Sequence, residues 1–545
     1  MRVPLHGRRV RGWVLEIDPV VPPQLDQRDL QEVSQVVSAG PPADVLDLCR
    51  WAAWRWAGPL ATFLRAASPA NLVGIDDPVE LGAAVYPGAA LEGRGLEIVG
   101  PRGDIAVPLA PEGSTLVIDP SATRAAALAA RWEREGREVV TPGSEHPDAV
   151  RTAHWARARA GACVVIGGRS AVWAPVPDLA AVVVLDEGDE RLEDERAPTW
   201  NARDVALERA ARADAVVRVL TPAPTVDVVV AVGAPVAGPP ARSWPRAEVV
   251  DQRAEEPGHG LLSAALADAL RHTVGRGARA VCVLNRRGRA RLLACRTCRE
   301  LARCATCGAT VDQVDAQFDC ARCGTTRPQV CLHCHGSTFR IVKPGIARVR
   351  DDLAALLPRT DVASVDSATD AVPEVPVLVG TEAVLHRVEP SVGLVAYLEL
   401  DQELLAARAR AAEQALWLLV RGARLLDDRG RMLLQTRLPG HEVVEAVRRG
   451  DPMAVADAET PRRRALGFPP FGGLAEVRGA PDAVTAACAA VADAGVTVLG
   501  PTTDGTSALL RAGSVGDLCD ALAAPGVDAA RTKGRLRIDV DPRRI

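Results

Sequence analysis

The chain has 545 residues, of which 48% are hydrophobic and 25% charged, and its formal net charge is −4. This length exceeds what one hydrophobic core supports, so several domains are expected and a small disulfide-stapled module is excluded. No apolar run is long enough to span a membrane and no signal-peptide pattern follows Met1, which predicts a cytoplasmic protein without a membrane partner. Because the charge is nearly balanced, any contact with nucleic acid must rest on local basic patches.

The first sixteen residues predict a small β module, because two short strands flank a glycine-containing turn. Arg8, Arg9 and Arg11 lie close together in this module without an acidic neighbour. We take these three arginines as candidate DNA-binding residues. Residues 41–68 then have helical spacing that stops at Gly58-Pro59, and their tryptophans are expected in the core rather than on a base-stacking platform.

Strand and helix patterns alternate from Leu116 onward. Uninterrupted β-branched runs between alanine-rich helical stretches favour parallel sheets covered on both faces, in two successive α/β blocks. The Pro- and Val-rich stretch 221–260 is expected to be connecting structure. A last block of shorter strands and helices begins at about Thr460. The expected strands include 163–166, 181–185, 280–284, 375–380, 395–398 and 536–541.

Two acidic residues, Asp186 and Glu187, directly follow the strand predicted at 181–185. The carboxyl end of a parallel strand is where α/β folds bind ligands, and in nucleotide enzymes such a pair holds Mg²⁺ and activates water. These two residues are therefore candidates for a remnant ATP/Mg²⁺ site. An ordinary turn at the end of the strand explains them equally well.

A lysine-based phosphate loop is excluded by the lysine content of the chain. The pattern G-x-x-x-x-G-K-[ST] needs a lysine that reaches the β- and γ-phosphates of the nucleotide. The two lysines, Lys343 and Lys533, follow Val342 and Thr532 and lie outside any such pattern.

Eight of the 13 cysteines form four C-x-x-C pairs within 40 residues. Two such pairs complete a tetrahedral thiolate shell, so four pairs predict two structural Zn²⁺ ions per chain. Disulfides are disfavoured in a reducing cytoplasm, and iron–sulfur motifs have other spacings. Spacing alone allows three ways of matching the pairs. The ligands are Cys295, Cys298, Cys304, Cys307, Cys320, Cys323, Cys331 and Cys334.

The surroundings of these cysteines carry three further signals. Gly308 and Gly324 follow the second cysteine of their pairs, where positive φ lets the chain leave the turn. His333 and His335 flank Cys334 and are alternative ligands, although eight thiolates already fill two sites. Twelve Arg or Lys face four acidic residues between positions 285 and 348, so this insert has a basic surface suited to phosphates or simply to solvent.

An eight-cysteine insert placed after Leu284-Asn285-Arg286-Arg287-Gly288, between two α/β blocks, resembles the PriA family of primosomal replication-restart proteins, whose familiar members are superfamily 2 DNA helicases. The resemblance covers nearly the whole chain. The other segments that carry it are Arg2–Trp13 (a 3′-end DNA-binding module), Ile166–Ser170, Asp186–Asp189 (Asp-Glu-Glu-His in the family), Trp200–Asp204, Gly380–Glu382, Leu466–Phe471 and Asp539–Pro542.

The resemblance implies an α/β fold with two degenerate RecA-like superfamily 2 helicase lobes, a small N-terminal β module, a double zinc-binding insert and an α+β C-terminal domain. It also implies that the outer cysteine pairs bind one zinc and the inner pairs the other. The implied domains are 1–75 (3′-end DNA-binding-like, N-terminally short), 76–225 (lobe 1), 226–290 (linker and start of lobe 2), 291–340 (zinc insert), 341–459 (rest of lobe 2) and 460–545 (C-terminal domain).

The departures from the family concern ATP hydrolysis. Residues 100–115 stand where the family has Gly-Ser-Gly-Lys-Thr, and offer neither the lysine nor the glycine spacing. Leu419–Arg424 is a scrambled form of the segment that carries the family's arginine finger. Loss of an arginine finger alone costs about 10³ to 10⁵ in turnover, so the chain resembles the shortened, helicase-inactive PriA proteins of some bacterial lineages.

Three hypotheses follow for the function. The first is a replication restart protein of the nucleoid that binds abandoned or stalled forks and single-stranded DNA, and promotes primosome assembly and reloading of the replicative helicase without helicase activity. The second is an ATP-dependent 3′–5′ DNA helicase that uses a cryptic site at Asp186 and Glu187. The third is a pseudo-helicase scaffold for protein interactions, with weak DNA affinity.

Overall fold

The fold is described by a computed structural model. It covers residues 1–5, 8–17, 33, 35–75, 91–238, 243–254, 261–284, 293–314, 316–341, 346–366 and 368–543. The chain divides into two compact units. Unit 1 comprises Met1–Gly95, Ala106–Leu220 and Gly473–Asp541, and unit 2 comprises Leu96–Ile105, Thr221–Gly472 and Pro542–Ile545.

The N-terminal part of unit 1 is an antiparallel strand pair followed by two helices. The predicted pair is confirmed, with Arg2 opposite Arg11. Residues 41–68 form two helices rather than one, because Gly58-Pro59 interrupts the helix and Pro59 then caps a second one. The elements are β1 (Arg2–Leu5), β2 (Arg8–Arg11), α1 (Ala43–Arg55) and α2 (Leu60–Ala67).

The middle of unit 1 contains a parallel sheet, here called the first sheet. Its strands within this unit lie in the order β5-β6-β4-β7-β8. β4 is buried throughout and β7 at six of seven positions, as expected for strands covered on both faces. The elements in this part of the chain are β3 (Arg94–Ile98), of which residues from Leu96 belong to unit 2, and then β4 (Ser114–Ile118), α3 (Ala122–Arg134), β5 (Val139–Val140), α4 (Asp148–Arg159), β6 (Val164–Gly167), β7 (Leu179–Leu185), α5 (Ala202–Ala213) and β8 (Val216–Thr221).

The stretch 221–260 was expected to be connecting structure, and this expectation is wrong for much of its length. It contains a helix and two strands, one of which pairs in parallel with a strand that follows it by almost two hundred residues. Local sequence patterns do not reveal an edge strand whose pairing partner lies so far along the chain. The elements up to the insert are α6 (Val226–Val232), β9 (Pro235–Ala237), β10 (Arg246–Asp251), α7 (Ala264–Gly275) and β11 (Ala280–Val283).

The cysteine-rich insert, residues 293–341 of unit 2, consists of short strands and turns. Two of its strands form one antiparallel pair, and the other three form a separate small sheet. Its apolar core centres on Phe318, which is fully buried and contacts Phe339 edge-on at 4.8 Å. The strands are β12 (Leu293–Cys295), β13 (Asp312–Val314), β14 (Gln317–Asp319), β15 (Thr326–Pro328) and β16 (Phe339–Ile341).

The second sheet, in unit 2, is parallel with the order β10-β20-β19-β11-β18-β17. Side chains of α11 and α12 cover one face, and those of α7 and α8 cover the other, which confirms the prediction of a sheet buried on both sides. The elements are α8 (Ile346–Leu356), β17 (Val362–Val365), β18 (Val377–Gly380), α9 (Ala383–Arg387), β19 (Val392–Tyr397), α10 (Asp401–Leu404), α11 (Ala411–Leu425), β20 (Leu426–Thr436), α12 (Glu442–Arg449) and α13 (Met453–Leu466).

The C-terminal part of unit 1 is an antiparallel sheet with the order β22-β23-β21-β24 and three helices, which confirms an α+β domain. Within the described residues, no helix is both long and apolar enough to cross a membrane. The elements are β21 (Gly473–Gly479), α14 (Pro481–Asp493), β22 (Thr497–Leu499), β23 (Ser507–Ala512), α15 (Val515–Leu522), α16 (Pro525–Arg531) and β24 (Leu536–Val540).

Candidate functional site

The eight cysteines of the insert form two clusters of four. In each cluster the four Sγ atoms lie within 4.8 Å of one another. Across the pairs, the Sγ–Sγ distances are 3.6 and 3.5 Å in one cluster and 3.5 and 3.4 Å in the other. The outer cluster is Cys295, Cys298, Cys331 and Cys334, and the inner cluster is Cys304, Cys307, Cys320 and Cys323.

This grouping is the one that the family resemblance implies, out of the three that spacing allows. Neither His333 nor His335 belongs to a cluster. Both clusters fit zinc, since four sulfurs at about 2.3 Å from a tetrahedral ion lie about 3.8 Å apart. The outer and inner clusters can therefore each hold one zinc ion.

All four C-x-x-C turns have the same backbone geometry. The residue after the second cysteine has positive φ, and its N–H donates to the carbonyl of the first cysteine at 2.9 to 3.1 Å. Glycine fills this position in the inner cluster, with φ +73° at Gly308 and +74° at Gly324, as the sequence predicts. In the outer cluster Arg299 and His335 adopt the same conformation, at some cost in strain.

One thiol in each cluster is disposed to ionise. A hydrogen bond from the Cys307 thiol is the main reason that the pKa of Cys320 falls to about 5. For Cys295, burial opposes ionisation, but hydrogen bonds from the backbone of Cys298 and Thr297 outweigh it and lower the pKa to about 6. The pKa of Cys298, Cys307 and Cys323 is raised instead, so a bound metal, which requires thiolates, would displace protons from these thiols.

The insert is fixed to the rest of unit 2 by polar contacts. The N–H of Thr310 donates to the carbonyl of Leu405 at 2.7 Å, beside α10. Arg322, between two inner-cluster ligands, lies 3.4 Å from the buried carboxylate of Glu459 in α13. Such a pair is costly to break from one side, so the orientation of the inner cluster on unit 2 is specified.

The acidic pair at the end of β7 is buried and bound to arginines. Asp186 accepts a hydrogen bond from Arg124 of α3 at 2.7 Å, and the same guanidinium makes two hydrogen bonds, at 2.8 and 2.7 Å, to Asp119. Both carboxylates are fully buried, while Arg124 is 23% exposed. The guanidinium group of Arg124 thus lies at the carboxylate that would hold Mg²⁺ in a nucleotide enzyme.

Glu187 is bound in the same way. The Arg203 side chain of α5, 6% exposed, lies 3.4 Å from the Glu187 carboxylate and 2.7 Å from Asp204. Asp189, in the position of the family's histidine, is buried and accepts two hydrogen bonds from the Arg191 guanidinium. Each acidic side chain of the remnant motif is therefore paired with a neighbouring arginine.

The segments that stand where the family has its phosphate loop and its arginine finger do not have the geometry of those motifs either. Residues 99–113 join β3 to β4 and are all described, and none of them is helical. A phosphate loop needs the N-terminus of a helix directly after its strand. In unit 2, Arg421 forms an ion pair with Glu382, and Arg424 donates to the carbonyl of Pro101 at 3.2 Å.

A second concave site lies in unit 1 beside the N-terminal strands. This cavity of about 540 Å³ is lined by residues that include Arg11, Trp13, Arg65 and Ser68. The Trp13 indole donates to Ser68 Oγ at 2.8 Å and is held in place by it. Among the described residues, neither Arg11 nor Arg65 has an ion pair or side-chain hydrogen bond, so both cations remain available to an anion.

Of the three arginines predicted to bind DNA, Arg11 lines this N-terminal cavity. The side chains of Arg8 and Arg9 lie outside the described part of the chain, although both residues belong to β2. Sequence reasoning missed Arg65, Arg124 and Arg203. Arg65 is the one arginine of α2, and Arg124 and Arg203 each share an alanine-rich helix with two other arginines, so no local pattern marks the role of these side chains.

Two parallel sheets, each in an α/β unit, together with a double four-cysteine insert define a two-unit α/β protein with two candidate zinc sites. Residues 1–69 match the family described as "3'DNA-binding domain (3'BD)", and residues 464–543 match "Primosomal protein N C-terminal domain". The chain is 30% identical to a probable replication restart protein PriA from Mycobacterium leprae, over 89% of this chain and 83% of that protein. The chain belongs to the PriA family of replication restart proteins.

Other similarities are shorter or weaker. The chain is 31% identical to the replication restart protein PriA of Treponema pallidum, over 57% of this chain and 51% of that protein, so it spans about half of that relative. A solved DEAD box protein from Methanococcus jannaschii is 7% identical over 62% of this chain and 78% of its own, with a TM-score of 0.29. That structural similarity is too low to carry an argument.

Proposed function

We propose that the chain acts in replication restart as a DNA-binding scaffold without a motor of its own. It binds stalled or abandoned forks and their single-stranded DNA, and promotes primosome assembly and reloading of the replicative helicase. Membership of a family whose relatives are named replication restart proteins supports this role. Fork recognition through backbone and single-strand contacts needs no hydrolysis.

The arginine pairing of Asp186 and Glu187 carries the scaffold proposal. Both side chains that would hold Mg²⁺ and activate water in a helicase are buried against guanidinium groups. A metal ion would have to displace Arg124 from Asp186 and leave Asp119 without its partner. Together with the non-helical residues 99–113, this arrangement favours loss of ATP hydrolysis.

The N-terminal cavity supports DNA binding. The domain that matches residues 1–69 is described as binding 3′ DNA, and the cavity offers Trp13 as a flat apolar wall beside Arg11 and Arg65. A base can stack on an indole while guanidinium groups contact the phosphate. We assign the 3′-terminal nucleotide of a nascent strand to this cavity.

We further propose that each chain holds two zinc ions, one per cluster. Both sites are closed by four thiolates, so the ions stabilise the insert and leave no position for catalysis. The basic insert then presents a folded surface to DNA and to primosome proteins.

The test uses the zinc-loaded full chain. Binding of a forked DNA with a free 3′-hydroxyl and of the same fork with a 3′-phosphate is measured by fluorescence anisotropy, and ATP binding and hydrolysis are followed in parallel. We expect nanomolar binding that falls with salt, preference for the free 3′-hydroxyl and no hydrolysis. Arg65→Ala weakens binding several-fold, whereas the exposed control Arg212→Ala on α5 does not.

Other outcomes decide between the alternatives. ATP hydrolysis stimulated by single-stranded DNA and abolished by Asp186→Asn would establish a helicase with a non-standard phosphate site. Weak DNA binding together with tight association with a replication protein would establish a protein-interaction scaffold. Either result contradicts the DNA-binding scaffold proposed above.

A further inference from the structure

Unit 2 contains a cavity of about 540 Å³ between the cysteine-rich insert and the segment that joins β20 to α12. Its volume lies within the range of small-molecule sites. The insert contributes Glu300, Arg303 and His333, and the β20–α12 side contributes Arg437 and His441. Motif reasoning did not single out this site, because its two walls lie more than one hundred residues apart in the chain.

The arginines of this cavity differ in whether their side chains form ion pairs. Arg253 lies 3.6 Å from Glu300 and also pairs with Asp251. Arg303 and Arg437 line the same cavity, but within the described part of the chain their side chains make no ion pair and no hydrogen bond. Two arginines whose guanidinium donors are available therefore line one half-open cavity.

The carboxylates of the wall do not offset these charges, because each already has a cationic partner. Glu300 is bound by Arg253, and Glu442 lies 3.1 Å from Arg462. The wall thus holds three arginines against two glutamates, before either histidine is counted. Counting these groups alone, the net charge of the wall is +1 (three arginines minus two glutamates), and Asp251, which lies outside the wall, shares Arg253 with Glu300.

The surroundings of His441 are consistent with a positive site. Burial, reinforced by the charges of Arg462 and Arg303, lowers the pKa of His441 despite the adjacent Glu442. The imidazole Nδ1 also accepts the N–H of Val443 and caps α12. The partial positive charge at this N-terminus adds to that of the arginines.

Two buried acids lie behind Arg437 and are the competing negative charges. Asp401 accepts hydrogen bonds from Thr436 and from the backbone N–H of Arg437, so its oxygens are occupied within the protein. Burial and the charge of Asp401 raise the pKa of Glu399 to about 7, which leaves Glu399 partly protonated at neutral pH. Neither acid forms an ion pair with Arg437.

We propose that this cavity binds a phosphate group of single-stranded DNA, held by Arg303 and Arg437. Guanidinium donors match phosphate oxygens in paired hydrogen bonds, and a concave wall removes water that would compete. The inference rests on the DNA binding proposed above and adds a second contact point, in unit 2. The insert and the segment that follows β20 of the second sheet form the two walls of this site.

The experiment measures binding of fluorescein-labelled (dT)20 to the zinc-loaded full chain as a function of salt. For single strands, each phosphate contact contributes about 0.7 to the slope of log K against log salt. Because both arginines hold one phosphate, Arg303→Ala and Arg437→Ala are each expected to weaken binding several-fold at low salt and to lose part of this contribution. The double variant loses the whole contact, a decrease of about 0.7 in the slope, while Arg437→Lys keeps most of it.

Controls distinguish an effect of this cavity on DNA binding from a general effect of lost charge or of altered folding. Arg271→Ala removes the same charge from an arginine that is 55% exposed on α7 and leaves the slope unchanged. Zinc content and thermal unfolding of every variant are expected to match the unsubstituted chain. A purely structural role of the two arginines would change stability rather than the salt slope.

Three results would overturn the inference. If the unsubstituted chain binds (dT)20 and the double variant behaves like Arg271→Ala, the cavity is not a DNA contact and the proposed function stands. If the double variant loses only inorganic phosphate, measured by calorimetry, the cavity takes a free phosphate and the assignment to DNA is wrong. If the unsubstituted chain binds neither (dT)20 nor a fork, the proposed function fails together with the inference.

Discussion

At the scale of single residues, arginines decide the chemistry of this protein. Arg124 satisfies Asp119 and Asp186 together, and Arg203 satisfies Glu187. A buried carboxylate pair without a cation would be strongly unfavourable. The acidic residues at the end of β7 therefore form a structural ion-pair network with arginines of α3 and α5.

Substitution of Arg124 tests this reading. Arg124→Ala leaves two fully buried carboxylates without their partner, and since Arg124 itself is partly exposed, we expect a loss of about 2–3 kcal/mol in unfolding free energy. Millimolar Mn²⁺ should recover part of the loss, because a cation can then enter between Asp119 and Asp186. Thermal unfolding with and without Mn²⁺ provides the measurement.

The matched control for this prediction is Arg131→Ala on the same helix, which removes an exposed pair with Glu135. A surface pair of this kind contributes about 0–1 kcal/mol, and Mn²⁺ should have no effect on this variant. Equal destabilisation of the two variants would contradict a special role of Arg124.

Glu399 gives a pH dependence of stability. Burial, followed by the charge of Asp401, raises its pKa from 4.5 to about 7. The folded state binds the proton of the Glu399 carboxyl group more tightly than the unfolded chain does. The stabilising contribution of this group to the free energy of unfolding is therefore complete below about pH 4.5 and is lost as pH rises through about 7. Its upper limit is about 3 kcal/mol.

Glu399→Gln should therefore flatten the fall in unfolding midpoint between pH 5 and pH 8, as measured by thermal unfolding. The exposed acid Glu389 provides the control, because Glu389→Gln removes a carboxylate without removing a buried one. An unchanged pH profile in Glu399→Gln would show that the carboxyl group titrates near its ordinary pKa.

At the scale of elements, the four C-x-x-C turns are equivalent in backbone but not in surroundings. The inner cluster is part of the apolar core of the insert, together with Phe318, Val311 and Leu293. The outer cluster joins the ends of the insert beside β12 and β16. Loss of zinc at the inner cluster should therefore disturb the whole insert, and loss at the outer cluster only its ends.

Serine substitutions test this difference through the zinc content of the purified chain. Cys334→Ser, in the outer cluster, should leave about one zinc per chain, because structural zinc sites contribute folding energy locally. Cys320→Ser, in the inner cluster, should lower the content towards zero. Cys488→Ser, a buried cysteine of α14, is the control and should keep two. Two zinc ions in both insert variants would contradict thiolate ligation.

At the scale of the whole molecule, unit 1 is assembled from distant parts of the chain. The Trp54 indole of α1 donates to Asp520 at 2.8 Å, and Arg55 pairs with Asp541. Thr199 donates to Asp539 at 2.6 Å. The terminal Asp539-Val540-Asp541 segment, which carried part of the family resemblance, thus fastens the C-terminal domain to α1 and to the segment before α5.

The sequence by itself determined the features that depend on short spacing. C-x-x-C pairs converge because the turn is local, the buried strands appear as apolar runs, and a missing phosphate loop is visible as missing residues. The strand at β10 escaped prediction because its edge pairing with β20 is formed by residues far along the chain.

Only the tertiary structure decided which side chains meet. It selected one of three groupings of the cysteine pairs, brought Arg124 of α3 to Asp186, 62 residues further along the chain, and placed Arg303 and Arg437 in the wall of one cavity. Local sequence fixes which charges a segment carries, but burial and distance decide which of them are neutralised and which stay available to a ligand. For that reason the fold class could be predicted from sequence, whereas the state of the nucleotide remnant and the proposed phosphate site could not.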